Sequence, residues 1–151
     1  MNERQVFNIL VYVSFALAVG IFISLFFVSA PYGRHARKGW GLSVPSWLGW
    51  LVMEAPSPLV VSILFLVSRA AQTPTTLAFL LMWLAHYVHR AFIYPFERRN
   101  HGNRMPVVVM LMGSIFNLGN AYMNGRYLFH FSAGKYPHNW LLDWRFITGA
   151  L

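Results

Sequence analysis

The sequence has no cysteine, which excludes disulfides, thiolate metal sites and cysteine nucleophiles. Acid is scarce as well: 4 Asp and Glu stand against 12 Lys and Arg, for a formal net charge of +8. Charged residues make up 11% of the chain, where a soluble domain carries about 25%. There is neither a G-x-G-x-x-G nor a P-loop, so no Rossmann-type cofactor site lies in this chain. Internal repeats and low-complexity segments are also missing. What is present is apolar: 57% hydrophobic and 17% aromatic, with mean hydropathy +0.48. Such a composition excludes a disordered chain and points to a multi-span membrane protein. The basic residues sit in short clusters between apolar runs, so they are read as topology signals and not as a nucleic-acid surface.

The apolar runs predict an all-α bundle of four spans and the start of a fifth. Span one, Val6–Ala30, is too long for a signal-peptide core of about 7–15 residues. Span two is Ser46–Ser68, with Pro56 and Pro58 predicting a bend or a late helix start, and freed carbonyls in need of partners. Span three is Pro74–Phe96 and span four is Met105–Tyr127. A polar loop, Phe131–Asn139, precedes Trp140–Leu151, which turns apolar and stops. The chain therefore reads as the front part of a longer protein. Six Lys and Arg lie in loops one and three against four in the N-terminus, loop two and loop four together, which favours an outside N-terminus with loops one and three cytoplasmic.

Of the four acids, Glu3, Glu54, Glu97 and Asp143, Glu54 lies inside an apolar stretch. Intramembrane acids mark function, and burial favours the neutral acid, which can donate a hydrogen bond. The alternative is an interfacial glutamate at the end of span two, paired with Arg90. Tyr87, Arg90 and Tyr94 fall at i, i+3 and i+7 on one helical face and present a phenol and a guanidinium. The plainer reading has Arg90 reaching a cytoplasmic interface and Tyr87 in an aromatic belt. His86 and His89 have the spacing of a metal pair without the further ligands, so no metal site is assigned. Asn117, Asn120, Asn124 and Tyr127 share a face of span four, suited to a cofactor channel or to interhelical hydrogen bonds, with Gly113, Gly119 and Gly125 allowing close packing. The loop Arg98–Arg104 can hold an anionic phosphate or simply signal topology.

Several blocks together resemble the N-terminal half of the steroid 5α-reductases. They are Ala30-Pro31-Tyr32-Gly33-Arg34-His35, Met53-Glu54-Ala55-Pro56-Ser57 and His86-Tyr87-Val88-His89-Arg90-Ala91-Phe92-Ile93-Tyr94-Pro95-Phe96. Gly119-Asn120, Tyr127-Leu128, Trp140 and Asp143-Trp144-Arg145-Phe146 follow in order. The resemblance implies a seven-helix membrane reductase that uses NADPH on 3-oxo-Δ4 steroids, adding hydride at C5 and a proton at C4. It implies that Glu54 and Tyr87 are catalytic and contact the C3 carbonyl. It places Trp50, Met53, Met112, Phe116 and Tyr32 in the substrate pocket, and Arg90, Tyr94, Arg99 and Asn117 near the cofactor. The chain departs from the pattern at Met53, where mammalian enzymes commonly have glutamine, at Met112, where one has arginine, and in a longer loop Arg98–Arg104. The family's main cofactor residues, including an N-x-x-S-D motif, belong to a C-terminal half missing here, so residues 1–151 alone are expected to be inactive. The expected partners are a steroid or another apolar enone and the lipid bilayer, with no nucleic acid, for a monomer in a bacterial inner membrane or the endoplasmic reticulum. The rival readings are a reductase of polyprenols or enoyl thioesters, and a non-catalytic subunit or transporter with Glu54 and Arg90 as an ion pair.

Overall fold

The computed structural model describes residues 1–28, 39–68, 73–97, 103–132 and 134–150. Four helical stretches in it are long and apolar enough to cross a membrane: Glu3–Ser24, Ser46–Val67, Pro74–Glu97 and Val107–Phe131. At 1.5 Å per residue each spans about 30 Å, the thickness of a hydrocarbon core.

The first, α1 (Glu3–Ser24), starts earlier than hydropathy predicts because Asn2 and Gln5 form a reciprocal capping box that satisfies the first free N–H groups. It packs loosely, and Phe7 is its buried residue. Phe7 sits edge-on against Phe131 at 4.8 Å, Arg4 lies over the same ring, and Glu3 pairs with Arg126. These contacts pin the N-terminal end of α1 to the end of the fourth span.

The second span is broken in two, α2 (Ser46–Glu54) and α3 (Pro56–Val67), as its prolines predict. Ala55 keeps helical angles, so the chain bends without unwinding. Pro56 has no N–H for the carbonyl of Val52. Ser114 Oγ on the fourth span lies 3.2 Å from that oxygen and shares its hydrogen with the Met110 carbonyl of its own helix at 2.9 Å, and Asn117 Nδ2 donates to the neighbouring carbonyl of Met53 at 2.9 Å. A neighbouring helix thus supplies the partners that water cannot supply in a membrane.

The third span runs α4 (Pro74–Val88), a π-helical turn (His89–Ile93) and α5 (Tyr94–Glu97). Pro95 cannot donate to Ala91, and Tyr94 N–H bonds back five residues to His89, so the helix is locally overwide. The fourth span, α6 (Val107–Arg126), continues through a second π turn (Tyr127–Phe131). It begins two residues later than predicted because Met105 and Pro106 pair in a ribbon. There β1 (Ser43–Pro45) and β2 (Arg104–Pro106) run antiparallel, with Val44 opposite Met105. Ser46 N–H bonds Asn103 O at 3.0 Å and Val107 N–H bonds Leu42 O at 2.9 Å, so the ribbon joins the starts of α2 and α6. Sequence periodicity gives no sign of a three-residue ribbon: Ser43–Pro45 and Arg104 read there as loop, and Met105 and Pro106 as the start of span four.

Val61, Leu80, Ala121 and Phe129 form the core between α3, α4 and α6. Beyond the spans, a 3₁₀ turn (His138–Leu142) leads into α7 (Trp144–Ala150), whose start is capped by Asp143. Large apolar side chains of α1 such as Phe15, Leu17 and Phe22 stay exposed, as lipid-facing residues do.

Candidate active site

The bend after Glu54 and the π turn after Val88 face each other across the bundle, and between them lies a cavity of about 670 Å³. That volume falls within the range of small-molecule sites, roughly 300–1,000 Å³. Its polar wall comes from α2, α4, the π turn after it and α6, and carries Glu54, His86, Tyr87, Arg90 and Asn117. Trp50, Met53, Met112 and Phe116 line it too. The end of α1 and the residues just after it close one side with Ile21, Leu25 and Val28, and Ser24 Oγ there donates to the Ile21 carbonyl at 2.8 Å.

Glu54 is 3% exposed and tied at both oxygens. Arg90 Nε donates to Oε1 at 2.7 Å, and Asn117 Nδ2 donates to Oε2 at 3.1 Å. Arg90 in turn lies over the Trp50 ring at 5.0 Å. Glu54 is thus buried within the protein, and the pairing with Arg90 that the alternative sequence reading included is present. Each carboxyl oxygen has two lone-pair sites, so Glu54 keeps two for a ligand or a proton.

Tyr87 is held on three sides. Trp83 stacks on it at 4.9 Å, His86 meets it edge-on at 5.0 Å, and Asn120 Nδ2 donates to its oxygen at 3.3 Å. Trp83 is itself fixed by Nε1–H to Ser57 Oγ at 3.1 Å. Asn124 continues the chain by donating to Asn120 Oδ1 at 2.9 Å. The asparagine face of α6 thus makes hydrogen bonds within and between helices, one of its two predicted uses. Because Tyr87 Oη accepts from Asn120, its own hydrogen is left for a ligand.

Tyr94 does not share the main cavity with Tyr87 and Arg90. The π turn inserts an extra residue into the helical repeat, which breaks the i, i+3, i+7 face. Tyr94 packs on Trp50 at 5.5 Å and lines a second recess of about 260 Å³ with Ala85, His86, His89 and Arg90. His89 faces Glu97 at 3.8 Å, so it parts from His86, which also faces the main cavity. Tyr32 and Arg99 lie outside the described residues. Asn117, placed near the cofactor by the resemblance, directs both amide hydrogens at α2. Pocket residues that the sequence reading did not single out include Ser24, Trp40, Met105 and Val109. Trp40, Met105 and Val109 share an apolar or aromatic character common to every span, and Ser24 is a lone hydroxyl, so nothing in the sequence marks them.

Two glycines let α6 approach the second span closely. A Cβ on Gly113 would lie 2.3 Å from Met53 Sδ, and one on Gly125 would lie 2.7 Å from Leu64 Cδ1. Gly119 has open space around it, so two of the three glycines on α6 serve close packing.

No protein-family model matches the chain. Among curated proteins it is similar to "Steroid 5-alpha-reductase DET2" of Arabidopsis thaliana, 35% identical over 134 residues, covering 85% of this chain and 51% of the relative. It is 34% identical over 157 residues to "3-oxo-5-alpha-steroid 4-dehydrogenase 1" of Bos taurus, covering 99% of this chain and 59% of the relative. The protein of the same name from Homo sapiens is 34% identical over 150 residues, covering 97% of this chain and 56% of the relative. The chain spans between half and three-fifths of the length of these relatives. Over most of its own length it is a homologue of the steroid 5α-reductases.

Proposed function

We propose that this chain forms the substrate-binding part of a membrane-embedded, NADPH-dependent reductase of the C4–C5 double bond of 3-oxo-Δ4 steroids. The observation that carries this reading is the meeting of Glu54, Tyr87, Arg90 and Asn117 in one cavity whose other walls are apolar. An apolar ring system with a single carbonyl matches that division. The names of the homologues give the reading its chemistry.

Reduced nicotinamide supplies hydride when bound, and the residues of this chain handle the rest. As hydride reaches C5, negative charge grows on the C3 oxygen. Donors already aimed at that oxygen lower the barrier, because they need no reorganisation during the reaction. Tyr87 is one donor, with Asn120 behind its oxygen. Glu54, carrying a proton on a free lone-pair site, is the other. A phenol paired with a neutral carboxylic acid is the solution the ketosteroid isomerases use for a steroid dienolate. Arg90 and Asn117 hold the carboxyl group in place. The recess behind Arg90, with His86, His89 and Tyr94, is cationic and aromatic and fits one end of an anionic, planar cofactor.

The test uses membranes carrying the full-length gene product. NADPH-dependent loss of enone absorbance is expected with a 3-oxo-Δ4 steroid. Combining Glu54→Leu with Tyr87→Phe should abolish it, and full turnover by that double variant would overturn the assignment. A second reading, an ion-coupling pair in a transporter, draws on the Glu54–Arg90 contact. Absence of enone reduction together with proton-coupled solute flux would favour it.

A further inference from the structure

Reducing an enone has a second requirement that the carbonyl donors do not meet: a proton must reach C4. We propose that His86 is the catalytic residue that delivers it. This rests on the reductase reading above.

Elimination among the cavity-lining groups leads there. Of the described residues on that wall, Glu54, His86, Tyr87 and Arg90 carry titratable protons. Arg90 keeps its protons at any working pH. Glu54 is anchored by Arg90 and Asn117, and Tyr87 has its hydrogen free for the carbonyl. His86 has no hydrogen-bond partner among the described residues, and its ring rests edge-on against Tyr87 at 5.0 Å. A donor beside Tyr87 is well placed, because C4 lies two bonds from the oxygen that Tyr87 would hold. Imidazole is also the side chain that gives and regains a proton near neutral pH.

His86 can be recharged. It lines the 670 Å³ cavity and also the 260 Å³ recess with His89, Arg90 and Tyr94. A face with two histidines, an arginine and a tyrosine inside a spanning segment belongs to a watered or protein-lined space, not to lipid. The polar and titratable groups that line these two spaces with His86 are Glu54 from α2, Asn117 from α6, and Tyr87, His89, Arg90 and Tyr94 on its own span.

The step balances. Hydride brings two electrons to C5, the C4=C5 π pair moves to C3–C4, and the carbonyl π pair moves to oxygen. The carbonyl then re-forms as the C3–C4 pair takes the proton from the His86 imidazolium at C4. The neutral imidazole left behind takes a proton from water in the recess.

His86→Gln in the full-length gene product tests this, with a 3-oxo-Δ4 steroid and NADPH in D2O. The wild type is expected to place deuterium on one face of C4, read before exchange beside the ketone. In His86→Gln, kcat should fall about 100-fold with KM unchanged, the label should spread over both faces, and added imidazole should restore part of the rate. His86→Asn and a melting curve guard against misfolding: a folded variant with lowered kcat and scrambled label supports the role. Wild-type kcat with single-face label in either folded variant overturns it. A wild type that makes no 5α product overturns the reductase reading itself, and this inference with it.

Discussion

Arg90 Nε stands 2.7 Å from Glu54 Oε1, joining the π turn of the third span to the last residue of α2 before the bend. Glu54 is buried, and the Arg90 side chain is 43% exposed, so the carboxyl group depends on its partner more than the guanidinium does. Arg90→Leu should destabilise the protein by ~1–3 kcal/mol, because it leaves a buried carboxyl group short of a hydrogen-bond partner. Adding Glu54→Leu should recover most of the loss. Thermal unfolding in detergent reads both, and an unchanged melting point for Arg90→Leu would show that the pair is not holding the wall.

The bend at Pro56 and the hydroxyl of Ser114 should be energetically coupled. Ser114 shares its hydroxyl hydrogen between the Met110 carbonyl of its own helix and the carbonyl that Pro56 leaves free, so Ser114→Ala should cost up to ~1 kcal/mol in the native sequence. In a Pro56→Ala background the new N–H serves the Val52 carbonyl, and the same change should cost almost nothing. Equal losses in both backgrounds would contradict this account of the bend.

The glycines of α6 predict opposite outcomes. Gly119→Ala meets open space and removes a flexible residue from a helix, so it should stabilise by up to ~1 kcal/mol. Gly113→Ala drives a methyl group into Met53, beside Glu54, and should destabilise by ~1–3 kcal/mol and lower turnover. Met53→Ala should relieve part of that strain. Melting curves of the three variants separate these expectations.

Outside the membrane, Asp143 caps α7 and forms a two-pronged pair with Arg145 at 2.9 and 2.8 Å. The side-chain hydrogen bonds of Arg145, and then its backbone N–H, hold the Asp143 carboxyl down at about 2 from an ordinary 3.8. A lowered folded value stabilises above the unfolded one, so this contribution is complete above pH 3.8 and is lost as pH falls through about 2. A carboxyl ¹³C titration should place Asp143 near 2, and Arg145→Gln should return it toward 3.8. A midpoint that does not move with the substitution would contradict the pairing.

The sequence by itself determined the four spans, because a run of some 20 apolar residues has one stable use in a bilayer. It determined the bend at Pro56, since proline removes a specific N–H. The family blocks in it pointed to Glu54 and Tyr87. Tertiary structure decided what those residues touch. Hydropathy cannot show that Asn117 turns to Glu54 and to the Met53 carbonyl, because the contact with Glu54 joins residues 63 apart in the chain. Nor can a helical wheel show Tyr94 leaving the face of Tyr87, because the wheel assumes the regular repeat that Pro95 breaks. The ribbon between Ser43 and Pro106 is likewise a long-range pairing of segments too short to carry a pattern. Local chemistry sets where helices begin, bend and end, whereas the site depends on which helices come together.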